Sequence, residues 1–513
     1  MIFVRFLLAM LPIIWLIVAM MALKWPTWKA ALGSALIAVV EALVFWHTSV
    51  PVVAMSVVEG LCMALWPIVL VIIAAVFLYN LVVKTGGMDV IKQMLMGISF
   101  DKRVLVLLVA WCFGGFMEGM AGFGTAIAIP AGMLTAMGFP ALFSCLVCLM
   151  ANGCPTPWGS IGIPTVTLAN MVDFPTTTAL STMQVIQLAP FFMLIPILMV
   201  FMTGKMVNGK GTAAWKGMWP LMIGAGLSFI IPMLIVSRFV GAELVMIVAS
   251  ICSFAVCIPL AKKIKPDPLY EMKTEKKHVS VHDLLIAAAP FICVFVFLLL
   301  TSKLVAPINT WLSQFSTTVH FVNDESATTF AWVNTPGIWI FLSALIGGRI
   351  QKASWPVFGE VFKATLKQMA PSVYVMLAVL ACAKVMIYSG MISDISAFAI
   401  AMTGTVYPIV APWLGFLGTF VTGSGTTSSV LFGRVQLDAA IALNFDKYWV
   451  VGLNSLGVGA GKMVSPQSIS IALAAVNKQG EDSRLLKDIM PYALAFLILM
   501  SIIAEVGSLL IHG

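Results

Sequence analysis

Glu118 is the one acidic residue in "GGFMEGMAGFGTAIAIP" (Gly114 to Pro130), a stretch with five glycines in a chain that is otherwise almost continuously apolar. An ionised carboxylate is costly in such surroundings, so Glu118 is expected to take up a proton near neutral pH and reads as a proton carrier. A helix-capping or structural role is the plainer alternative. Lys462, in "GAGKMVSP" (Gly459 to Pro466), is the cation best placed to meet an anion. Hydroxyls gather near both charges: Thr125 after the first, and Ser424, Thr426, Thr427, Ser428 and Ser429 in "TGSGTTSS" (Thr422 to Ser429). Gly122, Gly124 and Gly425, the amides of Asn152 and Asn454, and Ser465 and Gln467 on either side of Pro466 complete a candidate binding set for a small anion. Arg434 and Asp438 are spaced to pair on one helix face, so a structural ion pair is expected there, with anion contact by Arg434 as the alternative. Lys384 reads as a lysine near a helix end whose ammonium reaches the interface, and Glu41 and Glu59, flanking a loop, are expected to face water.

Other chemistries find no support. "GVGAGK" has the look of a phosphate loop, but Leu456 stands where that motif needs glycine and Met463 where it needs Ser or Thr. His47, His278, His282, His320 and His512 form no ligand pair on a helix, so no metal or other cofactor is expected. No nucleophile with a base and no carboxylate dyad points to an enzyme. The nine cysteines lie in or beside apolar segments and suggest neither disulfides nor zinc; Cys145 and Cys148 read as packing residues.

The elements that must position these groups are unusual for a membrane. Glycine and proline interrupt helices, and freed backbone groups are tolerated at membrane depth only where protein or a water-filled cavity surrounds them. A broken helix leaves an N-terminus within the bilayer, carrying about half a positive charge and unpaired N–H groups, which suits an anion. The first stretch has a second copy: Gly122, Gly124 and Thr125 lie over Gly423, Gly425 and Thr426. In that register Asn152 falls within one residue of Asn454, and Pro164 and Pro466 follow at equal spacing. Close helix packing through small residues explains some of these glycines, Gly114 and Gly115 among them, but not the gathering of hydroxyls and charges.

Composition sets the solvent. The 513 residues are 61% hydrophobic and 10% charged, with a mean hydropathy of +1.05, too few charges to clothe a water-soluble surface. Spanning runs start at Phe6, Trp28, Leu61, Ile186, Trp219, Ala242, Leu284 and Tyr492, with shorter or broken ones between. The expected fold is an all-α polytopic membrane protein of about 12–14 transmembrane segments in two inverted repeats with broken helices or re-entrant hairpins. Residues 1–261 form the first repeat, with its hairpin region at 114–165; residues 284–513 form the second, with its hairpin region at 415–468; 262–283 is a charged cytoplasmic linker. Lysine and arginine crowd the segments Lys84 to Arg103, Lys205 to Lys216, Lys262 to Lys277, Arg349 to Lys367 and Lys478 to Lys487. They avoid His47 to Gly60, and Lys303 to Asn334 holds a single lysine beside Asp324 and Glu325, which places both termini outside. The net charge of +8 reports this bias; the expected partners are the bilayer, a small organic anion and protons, with no nucleic acid.

At "EGMAGFGTAIAIPAGMLTAMGFP" (Glu118 to Pro140), "CLMANGCPTPWGSIGIP" (Cys148 to Pro164), "VTGSGTTSSVLFGRVQ" (Val421 to Gln436) and "GKMVSPQSISIALAA" (Gly461 to Ala475) the sequence resembles the lactate permease family. The resemblance implies a secondary carrier of the cytoplasmic membrane that takes up lactate, and often glycolate, with protons. Two positions depart from the family's usual "TGSDTSSN": Gly425 replaces an acidic residue and Ser429 an asparagine. The stretch after Asn152 departs as well, with "GCPTPWGSIGIP" where "TAPVAFGAIGIP" is usual. A carrier of another small organic anion, coupled to protons or to sodium, and a passive anion channel are the alternatives.

Overall fold

The computed structural model of the protein describes residues 2–512 apart from 123, 266, 273–278, 303 and 323–326. Phe123, Lys303, Asp324, Glu325 and much of the charged linker therefore lie outside the described residues. Among the described residues ten helices are long and apolar enough to cross a bilayer, or twelve when each bent pair counts as one span. The upper count meets the lower end of the expected range, because several apolar stretches are too short or too broken to cross alone. The run from Phe6 forms one such pair, bent by 47°. Leu36, Ile235, Ile292 and Ile502 stay exposed on the outer faces of their helices, as side chains turned to lipid would.

One group of helices packs around a long central member. It contains α1 (Thr27–Val44), α2 (Val50–Met63) and α3 (Leu70–Lys84). The second group is built from helices that stop inside the bundle: α4 (Gly114–Met120), α5 (Thr125–Ala136), α6 (Ala141–Asn152) and α7 (Gly159–Met171). From the later sequence, α8 (Val281–Thr301), α9 (Pro336–Ile350) and α10 (Trp355–Ser389) join the first group, with α10 at its centre. α11 (Tyr407–Thr422), α12 (Gly425–Ala442), α13 (Lys447–Val464) and α14 (Pro466–Ala475) join the second. Thr178–Asn208, Trp219–Phe239, Val245–Lys263 and Asp482–His512 wall the second group. Small residues let backbones approach: a Cβ on Gly457 of α13 would strike the Pro412 carbonyl of α11.

Two short strands, β1 (Ser316–His320) and β2 (Ala327–Ala331), form an antiparallel hairpin that the all-helical expectation does not contain. It lies against the turn between α2 and α3, where Trp66 leaves helical geometry and its Nε1 donates to the Ala331 carbonyl at 2.7 Å. The described part of the linker is clasped rather than free. Lys102 N donates to Tyr270 O and Met272 N to Phe100 O, both at 2.9 Å, and the Arg103 guanidinium stacks 4.2 Å from the Tyr270 ring.

Three expectations are corrected here. Lys384 does not reach the interface: its side chain is 8% exposed, and its Nζ lies 2.7 Å from Glu59 Oε1. Glu59 and Glu41 do not face water, being 2% and 3% exposed. The α1–α2 turn that Glu41 and Glu59 flank does reach the end of the bundle, but both glutamates sit on the helix faces packed against α10, where local polarity carries no information about neighbours far along the chain.

Candidate functional site

The four broken helices converge because each break is written into its own residues. After α4, Gly122 (φ 57°) and Gly124 (φ 86°) adopt left-handed backbone that other residues rarely take, and α5 then starts at Thr125. After α11, Gly423 turns left-handed (φ 68°) and the Ser424 hydroxyl accepts from Thr427 N at 3.2 Å, capping α12. Between α6 and α7 the axis bends by 72°, with Ser160, Ile161 and Gly162 all at positive φ. Ser465 caps α14 through Ser468 N at 3.1 Å.

These ends bound a cavity of about 480 Å³. Its lining includes Thr125, Ile163, Gly425 and Gln467, at or beside the starts of the regular helical parts of α5, α7, α12 and α14, so four helix N-termini face one space and bias it towards negative charge. Of the predicted residues, Glu118, Gly122, Gly124, Thr125, Ser424, Gly425, Thr426, Thr427, Lys462 and Gln467 line it. Glu118 of α4 and Lys462 of α13, 344 residues apart, meet there: Lys462 Nζ donates to Glu118 Oε1 at 2.7 Å, with side chains 2% and 9% exposed. Asn152 donates from Nδ2 to the other carboxylate oxygen at 2.8 Å. Gly159 makes room for the pair, since a Cβ there would stand 2.5 Å from Glu118 Oε1. A buried carboxylate and ammonium held this way satisfy each other while remaining beside open space.

Asn152, Asn454, Ser465, Arg434 and Asp438 lie outside the lining. Asn152 stands behind Glu118 as its orienting partner and does not line the cavity. Asn454 is buried against α11 away from the lining, with neither amide atom bonded among the described residues. Ser465 spends its hydroxyl on capping and on Ser468 Oγ at 2.8 Å. Arg434 and Asp438 form the ion pair that their spacing predicts, at 3.3 Å in a partly exposed network that adds Asp173 at 3.1 Å from Arg434. For Asn152, Asn454 and Ser465 helical register explains the difference: a residue in a motif shares its neighbourhood but not the direction of its neighbour's side chain.

Thr156, Ser160 and Ser468 line the cavity without having been singled out. "GSIGIP" holds a signal for Ser160, a polar residue in the glycine-marked break. Trp28 and Gln368 line it from α1 and α10, and nothing local in their sequence marks them. Thr427 Oγ1 is buried and unbonded among the described residues, which leaves a hydroxyl available to a ligand. Among those residues no group of three His, Cys, Asp or Glu side chains converges as a metal site would.

A bundle of membrane-length helices with broken helices around a charged internal cavity defines a multi-pass membrane transporter rather than an enzyme. The sequence profile of the L-lactate permease family matches residues 5–511, and the chain belongs to that family. It is 39% identical to an L-lactate permease of Streptococcus iniae over 86% of this chain and 92% of that protein. To the glycolate permease GlcA of Escherichia coli (strain K12) it is 29% identical, over 99% of this chain and 96% of the relative. Among solved structures, the YdaH transporter of Alcanivorax borkumensis, described as having an unusual topology, aligns with a TM-score of 0.47 at 14% identity, covering 88% of this chain and 86% of its own.

Proposed function

We propose that the protein imports lactate or glycolate together with a proton, and that the Glu118–Lys462 pair couples the two. The observation that carries this reading is that the cavity's only acid and its only cation neutralise each other at 2.7 Å among the described residues. A substrate carboxylate needs a cation, and Lys462 is already engaged. Protonation of Glu118 removes the lysine's partner, leaves an ammonium that a carboxylate can satisfy, and keeps the buried charge balanced at each stage. The substrate carboxylate then lies near Lys462 and the helix N-termini, with its hydroxyl within reach of Thr427 or a neighbouring Ser or Thr. Release of the proton returns Glu118 to Lys462 and expels the anion.

Orientation follows from charge. The cavity extends to Gln368, whose Oε1 accepts from Asn80 Nδ2 at 2.8 Å, one turn before Lys84. This Lys-rich end reads as cytoplasmic, so the site faces inward, the two halves run in opposite senses, and both termini lie outside the cytoplasmic membrane.

The test is uptake of labelled L-lactate into proteoliposomes under an inward proton gradient, roughly 1.4 kcal/mol per pH unit. Wild-type protein accumulates lactate uphill and Glu118→Gln loses that accumulation. Entry without uphill accumulation would make the protein a channel. Accumulation that follows sodium instead, or a substrate other than lactate and glycolate, would move the assignment to another anion.

A further inference from the structure

Among the described residues the charged side chains buried in the protein form three groups. Asp101 with Arg103 is balanced, one acid to one base at 2.6 Å, and so is Glu118 with Lys462. The third is not. Lys384 and Thr328 Oγ1 both bond Glu59 Oε1, at 2.7 and 2.8 Å, while Glu59 Oε2 and both oxygens of Glu41 are buried with no partner. Lys384 serves Glu59, and Glu41 stands buried with neither oxygen bonded among the described residues, a place where a proton can be taken up.

The position of this cluster matters more than its composition. α1 and α10 run side by side in the same direction: Trp28 lies against Tyr374, Ser34 Oγ is 3.6 Å from Cys382 Sγ, and beyond the helix ends Trp46 Nε1 donates to Asp394 Oδ2 at 2.9 Å. One end of this seam opens on the transport cavity, through Trp28 and the Gln368–Met376 face of α10. The other end is the Asp394 rim, where Arg5 stands 3.7 Å away. Glu41 and the Glu59–Lys384 pair occupy the stretch between. Lys384 is eight residues past Met376, a rise of about 12 Å. Facing the cluster are Cys382, Lys384 and Tyr388 from α10 and Glu59 from α2, while the preceding helix Leu11–Met21 contributes no ionisable side chain.

We propose that Glu41 with the Glu59–Lys384 pair is a second proton-binding site, and that a proton crosses through it with each substrate in addition to the one on Glu118. This rests on the symport reading above. One monovalent anion with one proton is electroneutral; with two protons the cycle carries one net positive charge inward, so an inside-negative potential becomes a driving force.

The experiment uses the full chain in proteoliposomes with the pH clamped equal on both sides and a potassium–valinomycin potential, inside negative. Wild-type protein is expected to accumulate lactate up to about 50-fold at 100 mV, which is 2.3 kcal/mol for one charge. Glu41→Gln is expected to lose this response while keeping accumulation driven by a pH gradient. A wild type driven by the pH gradient but indifferent to voltage overturns the second site, and so does a Glu41→Gln protein with the full voltage response. A wild type driven by neither gradient fails the symport reading itself. Protons counted against labelled lactate with an internal pH dye give a readout independent of any variant: two per substrate supports the site and one overturns it. The double variant Glu59→Gln/Lys384→Met, which removes the pair as a unit, should lose the voltage response as Glu41→Gln does.

Discussion

Glu118 and Lys462 show how little a single residue means until its partner is known. Each is costly alone in an apolar bundle, and each is tolerable because the other is 2.7 Å away. Lys462→Met leaves Glu118 with Asn152 alone, and the expected cost is about 3–5 kcal/mol of stability, read as a lowered melting temperature in detergent. The double variant Glu118→Gln/Lys462→Met removes both charges and should recover most of that loss while staying inactive in proton-driven uptake. A double variant no more stable than Lys462→Met would mean that the pair does not hold the bundle together. Gly159 belongs to the same argument: any side chain there displaces the carboxylate.

At the scale of elements, the breaks matter more than the spans. Gly122, Gly124 and Gly423 end helices where a spanning helix would continue, and the cap at Ser424 starts a new one whose N-terminus faces the cavity. The linker makes a second case. Arg103 is 2% exposed, bonds Asp101 through two nitrogens at 3.0 and 2.6 Å, and donates to the Ala214 and Lys216 carbonyls, each at 3.2 Å. It ties the start of one helix, the turn before Trp219 and the linker at Tyr270 into one clasp. Arg103→Met strands Asp101 and should cost about 3–5 kcal/mol locally, opening the stretch 267–272 to limited proteolysis well before the helices are cut. Unchanged cleavage there would show that the backbone bridges alone hold the linker.

The whole molecule is two groups of helices with the cavity at their junction: α1 and α10 supply one wall, the broken helices the other. Its sidedness can be checked directly. A single cysteine replacing Gln368, in a background without the nine native cysteines, should react with a membrane-impermeant thiol reagent from the cytoplasmic face and be protected by lactate. Labelling only from the opposite face would reverse the proposed orientation.

Much of this was legible along the chain. Apolar composition selects the bilayer, glycines and prolines select where helices stop, and an acid or a lysine inside such a break stands out because its surroundings make it costly; these are near-neighbour properties, and sequence order preserves them. Side-chain partnership is different in kind. That Glu118 meets Lys462, that Asn152 stands behind the carboxylate, that Asn454 and Arg434 point away from the cavity, and that Glu41 and Glu59 are buried beside α10 rather than washed by water were all decided by packing between segments far apart in the chain. Helical register and the approach of backbones across small residues set those meetings, and no local stretch of sequence encodes the position of a helix hundreds of residues away.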